Sequence, residues 1–263
     1  MRIALGVEYD GIAFAGWQSQ RRARTVQETL EAALARVADH PVRVVCAGRT
    51  DAGVHATAQV VHFDTESVRP EHAWVLGTNS HLPADVAVRW ARAVEPRFHA
   101  RFAARRRRYR YVILNRDTRP ALLRGRVWWV HRPLDAEPAR AAAAYLVGEH
   151  DFTSFRALAC QARHPVRTIH RLDVHRAGEF LFIDVSANAF LHHMVRNLAG
   201  VLAAIARGEH PPQWAREVLE ARDRALGGVT APAAGLYLVQ VEYPETFGLD
   251  CGVRLPALGG REA

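Results

Sequence analysis

The chain contains no lysine: all 35 of its basic residues are arginine. That excludes mechanisms built on a lysine amine, such as a Schiff base or the lysine of a nucleotide-binding P-loop. Cysteine is scarce. Cys46, Cys160 and Cys251 lie far apart, with no CxxC pair, and their odd number argues against a disulfide framework. They read as buried, reduced thiols. No stretch approaches the roughly 20 apolar residues of a membrane helix. The start, "MRIALGVEYD", passes directly into an alternating strand pattern with an acid at Glu8, unlike a signal peptide. The expectation is a soluble, cytoplasmic protein.

What is present bounds the answer further. The 263 residues, 49% hydrophobic, suffice for one large core or two modest ones. The net charge of +8 points to an acidic partner. Arginine suits phosphate and base stacking because its fork is planar, bidentate and weakly hydrated.

Hydrophobic periodicity lays out the first half. Ile3, Leu5 and Val7 alternate with Arg2 and Glu8, which predicts a strand over 2–9. "TVQETLEAALARVADH" predicts a helix: Thr25 and Glu28 form a capping box, and Val26, Leu30, Leu34 and Val37 form an apolar stripe. "PVRVVCA" and "AQVVHFDT" predict two strands, "PEHAWVLGTNSHL" a helix and "DVAVRWARAV" a fourth strand. The order strand, helix, strand, strand, helix, strand suggests a ferredoxin-like α/β sandwich.

Seven arginines and no acid lie between residues 97 and 110, and this stretch reads as a junction. The second half repeats the style. Strands are expected at "YRYVILN", "TIHRLDVHR", "FLFIDVSANA" and "GLYLVQVEY". Helices are expected at "LDAEPARAAAAYLVG", "LHHMVRNLAGVLAAIARG" and "PPQWAREVLEARD". The expectation is an α/β (α+β) protein of two ferredoxin-like or RNP-like halves. The sheets are mostly antiparallel, helices pack on them, and a catalytic cleft lies between the halves. The halves are 1–104 and 105–247, followed by a tail at 248–263.

Three features carry chemistry. "AGRTDAGVHA" sets Asp51 in a glycine-bounded turn after an apolar strand, with Arg49 two residues before it. Gly48 and Gly53 give G-x-x-x-x-G, but Val54 and His55 follow where a P-loop needs Lys and Ser/Thr, and no G-x-G-x-x-G opens a helix. The bland role for Asp51 is to cap the turn; a nearby guanidinium would instead keep it ionised and oriented. Second, the run Arg105 to Arg108, with no acid in it, leads into Tyr109 and Tyr111. A charge run is by default a solvated face, but arginine interleaved with aromatics fits RNA phosphates and bases. Third, "NAFLHHMVRN" holds His192 and His193. As neighbours on a helix they would point about 100° apart and could not converge on one metal ion. Arg196 on that helix, partly buried, requires an anion, and Asp51 is a candidate.

Together these blocks resemble the TruA-type tRNA pseudouridine synthases. The likeness runs over about residues 2 to 245 through "EYDG", "GWQ", "TVQ", "GRTDAGVHA", "RRYRY", "DFTSFR", "HPVRTI", "NAFLHHMVRN" and "GLYL". The resemblance implies that Asp51 is the catalytic nucleophile. It implies that Tyr109 stacks on or near the target base, that Arg196 pairs with Asp51, that Arg49 and the glycines shape the turn, and that Leu236 walls the pocket. Arg105, Arg106 and Arg107 are expected to bind the RNA. It further implies a homodimer that isomerises uridines 38, 39 and 40 in the anticodon stem-loop of tRNA, without cofactor or metal. Two other readings stay open on the residues alone: an RNA-binding protein without catalysis, and an RNA methyltransferase, for which no nucleotide-cofactor loop is found.

Overall fold

The computed structural model describes residues 1–158, 160–249 and 252–258. Cys251 and much of the expected tail therefore lie outside the described residues. Two compact units emerge: Met1–Arg105 with Tyr237–Leu255, and Arg106–Leu236 with the segment that starts at Pro256. Both are mixed α/β, and most of their strand pairs are antiparallel. Among the described residues no helix is long and apolar enough to cross a membrane.

The first unit follows the anticipated order: β1 (Arg2–Tyr9), α1 (Val26–Ala38), β2 (Val45–Cys46), β3 (His55–Asp64), α2 (Glu71–His81) and β4 (Val86–Val94). β1 is central, antiparallel to β3 on one side and to β4 on the other. α1 begins as its capping box dictates, with the Thr25 side chain accepting from Glu28 N–H. Val26, Leu30, Ala33 and Leu34 are buried, and Val37 packs against Gly77 of α2. "PVRVVCA" forms far less strand than its pattern suggests. Only Val45 and Cys46 pair, with His62 and Val61 of β3. The Val44 N–H goes to the carboxylate of Glu31 (2.9 Å), so a helix side chain takes the place of a neighbouring strand there.

The second unit contains β5 (Arg106–Asn115), β6 (Trp128–Val130), α3 (Ala136–Ala144), β7 (Gly148–Asp151), β8 (Val166–Ala177), β9 (Phe180–Ala187), α4 (Met194–Ala206) and α5 (Trp214–Ala221). Its sheet runs β5-β9-β8-β7, with short β6 parallel to β5. β6 and β7 were not anticipated, because three or four residues are too few to show a period. β5 starts at Arg106, three residues before the expected strand, so the arginine run is itself laddered: Arg107 pairs with Ala187 and Arg108 with Ser186. The last strand, β10 (Leu236–Glu242), lies almost wholly in the first unit. It adds to β3 in parallel, Tyr237 opposite His55 and Leu238 opposite Ala56.

Candidate active site

Asp51 opens a turn of four residues. The Val54 N–H donates to Asp51 O (3.1 Å), and Gly53 has φ +76° while Ala52 stays at negative φ. That is the pattern of a type II turn, which requires the left-handed region at its third position and so a glycine. Asp51 is half-buried, whereas Arg49 and Ala52 are exposed.

The stretch from Asp10 to Trp17 packs against this turn. The Trp17 N–H donates to Thr50 O (3.0 Å), and the Gly53 N–H to Phe14 O (3.4 Å). The hydroxyls of Tyr9 and Thr50 are 2.8 Å apart. Gly16 sits at φ +103°, and a Cβ there would lie 2.9 Å from Thr50 O. At Gly11 a Cβ would come within 2.1 Å of Val54 O. His55 closes the other end. Its Nδ1 accepts from the Gly11 N–H (3.1 Å) and lies 3.2 Å from Asp10 Oδ1, and its ring stacks on Tyr237 at 4.6 Å. "EYDG" and "GWQ" are thus the clamp of the Asp51 turn, a role their composition alone does not announce.

In the second unit, strand alternation sorts the arginine run. Arg106, Arg108 and Arg110 face one way, Arg107, Tyr109 and Tyr111 the other. Tyr109 is buried, edge-on to Phe190 at 5.1 Å, and Arg107 beside it donates to Asn188 O (2.9 Å). Tyr111 is core: its hydroxyl donates to Pro232 O (2.7 Å), and burial holds its ionisation well above the usual phenol range. The run itself holds no acid, and β9 brings one to the strand that continues it. Asp184 binds Arg110 in the interior and lies 3.6 Å from Arg108. Arg105 and Arg106 remain exposed, and Arg107 half-exposed.

The placement of the histidines is corrected. α4 begins at Met194, and His193 is its N-cap in a left-handed conformation (φ 61°). His192 and His193 therefore precede the helix, and their rings lie 4.0 Å apart. The separation expected from helical geometry does not hold. Arg196 is on α4 and is tied to one residue twice. Its Nε donates to Ala231 O (2.8 Å), and the Ala231 N–H donates to Arg196 O (3.1 Å). Asn197 holds the same loop through Thr230 and Arg224. Leu236 is buried at the head of β10. Within the first unit the structure brings Arg49 and Asp51 into one loop; within the second, Arg107 and Tyr109 share a strand face.

A family model described as tRNA pseudouridine synthase matches residues 6–103 and 142–244. With that coverage, the chain belongs to the tRNA pseudouridine synthase family, which are isomerases. Among its relatives, the tRNA pseudouridine synthase A of Nitrosococcus oceani is 63% identical over 249 residues, covering 95% of this chain and 96% of the relative. Those of Alcanivorax borkumensis and Pseudomonas aeruginosa are each 59% identical, over 94% of this chain and 93% and 87% of the respective relatives.

Proposed function

We propose that this protein converts uridines 38, 39 and 40 in the anticodon stem-loop of tRNA to pseudouridine, with Asp51 as the nucleophile and without cofactor or metal. The observation that carries the reading is the construction of the Asp51 turn. A half-buried carboxylate stands at a bend whose backbone is hydrogen-bonded on both sides, to Trp17 before it and to Phe14 after it. A residue needed only to cap a turn does not require such a frame; a nucleophile does, because its rate depends on a held direction of attack.

The reaction breaks C1′–N1, turns the base over and forms C1′–C5, while the C5 hydrogen leaves as a proton and N1 gains one. Atoms and electrons balance without a redox partner or donated group, which supports a cofactor-free enzyme. A base in a stem must first be flipped out. Tyr109 is assigned to stacking on or near that base, Arg196 to countering negative charge in the reaction, Leu236 to walling the pocket, and Arg49 to shaping the turn. Arg105, Arg106 and Arg107 are assigned to the RNA phosphates. The protein is taken to act as a cytoplasmic homodimer.

The test is tRNA carrying tritium at uridine C5. Pure protein, dialysed against EDTA, should release the label with nothing added, and Asp51→Asn should release none. Binding without release would leave only an RNA-binding protein. Loss of release on chelation, restored by zinc, would overturn the metal-free reading.

A further inference from the structure

The loop that carries Asp51 leaves its strand early. Just past β2 the Ala47 N–H still donates to Val60 O (2.8 Å), and at the next residue a side chain takes over from the strand. Gln59, on β3 and with no solvent exposure, donates from Nε2 to Gly48 O (2.6 Å) and accepts the Gly48 N–H on Oε1 (3.4 Å). Its carboxamide pairs with both edges of one backbone residue, as a neighbouring strand would. The same Nε2 lies 3.4 Å from the Tyr9 hydroxyl, which in turn meets Thr50 Oγ1 at 2.8 Å. One buried side chain therefore fixes Gly48 directly and Thr50 through Tyr9. A polar group is retained in an apolar interior only where it is hydrogen-bonded, and the partners of this one lead to the residues just ahead of Asp51.

We propose that Gln59 is a positioning residue for Asp51: its carboxamide, together with the Tyr9 hydroxyl, sets the direction in which the carboxylate leaves the turn. This rests on the reading of Asp51 as the nucleophile. An apolar residue would fill the space but release both edges of Gly48, and a displacement of about 1 Å costs on the order of 100-fold in rate.

Gln59→Met keeps the volume and removes both polar ends. At a temperature where the variant is fully folded by circular dichroism, single-turnover tritium release should slow by about 100-fold with the tRNA Kd unchanged. Gln59→Glu adds a signature in pH. The ionised acid accepts from the Gly48 N–H but repels Gly48 O, whereas the protonated acid donates to one and accepts from the other, as the amide does. The ratio of its rate to wild type should rise as pH falls. A role confined to stability would move the melting temperature and leave the rate of the folded protein unchanged. If Gln59→Met fails to fold, Gln59→Glu and Tyr9→Phe carry the test, the latter lowering the rate by a smaller factor. Wild-type rates in the folded variants and a flat pH ratio overturn the proposal. Asp51→Asn run in parallel separates the two failures. Turnover by Asp51→Asn would remove the reading of Asp51, while an inert Asp51→Asn beside a fully active Gln59→Met would remove only the positioning role.

Discussion

Arg110 and Asp184 form a closed bidentate pair between β5 and β9, Nε to Oδ1 at 2.9 Å and Nη2 to Oδ2 at 2.6 Å, with both side chains at most 1% exposed. The guanidinium also lies over the Phe182 ring at 4.8 Å. Removing one partner of such a pair strands a buried charge. Arg110→Met should therefore destabilise the protein by about 3 kcal/mol, the lower end of the usual range because Arg108 stays near the carboxylate. Arg110→Met with Asp184→Leu should recover much of that loss. Urea unfolding checks both, and a double variant no more stable than Arg110→Met alone would refute the account.

The same strand separates arginines that face solvent from those that hold the fold. Replacing Arg105 and Arg106 with Gln should weaken tRNA binding and flatten the log–log salt slope by about 0.7 to 0.9 for each lost phosphate contact. Arg108→Gln should lower the melting temperature and leave the slope alone. Unchanged low-salt affinity in the double variant would make Arg105 and Arg106 a solvated edge.

Gly16 is constrained twice: its φ is +103°, and a Cβ on it would stand 2.9 Å from Thr50 O. Gly16→Ala should cost more than about 1 kcal/mol of stability. Because the strain falls on the loop around Asp51, turnover of the folded fraction should drop while tRNA affinity holds. Equal losses in both would place the damage outside the catalytic step.

His62 gives the first unit a pH dependence. Burial, aided by the positive charges of Arg2 and His99, lowers its pKa to about 4. Its Nδ1 accepts the Ala100 N–H (3.1 Å), a bond that protonation of that nitrogen would break. The unfolded chain takes up this proton near pH 6.5, before the folded protein does. Stability is therefore full above that pH and falls as pH drops from about 6.5 to about 4, by at most about 3 kcal/mol. His99, also lowered by burial, shifts stability in the same direction. His62→Gln should flatten the dependence of the melting temperature on pH between those limits, and an unchanged slope would show that His62 protonates freely.

Arg196 gives its Nε to Ala231 O, and the role proposed for it at the site calls on a second donor of the same fork. Lysine has a single nitrogen and cannot do both. Arg196→Lys should keep the fold and tRNA affinity but lower the single-turnover rate. A wild-type rate would take Arg196 out of the proposed site.

Much of this was legible in the chain itself, for local reasons. α1 is written in the capping box of Thr25 and Glu28 and the stripe of Val26, Leu30 and Leu34; β1, β3, β4, β8 and β9 are written in their alternation. Gly53 marks the bend at Asp51 because a type II turn needs positive φ there. The ordered blocks from "EYDG" to "GLYL" carried the family. These signals lie within single elements, where the period of the backbone is the period of the sequence.

What the tertiary structure decided are pairings between distant residues. Asp184 meets Arg110 from 74 positions away and so divides a run that looks uniform into buried and exposed arginines. β10 joins β3, because an alternating strand specifies which face is apolar but not which edge it will add to. His192 and His193 lie ahead of α4, where the left-handed backbone of His193 ends an apolar pattern that reads as continuous helix. Gln59 looks like any polar residue on a strand until its amide is seen against Gly48. A bond from a side chain to a distant backbone has no periodicity to betray it; only the folded chain brings the two together.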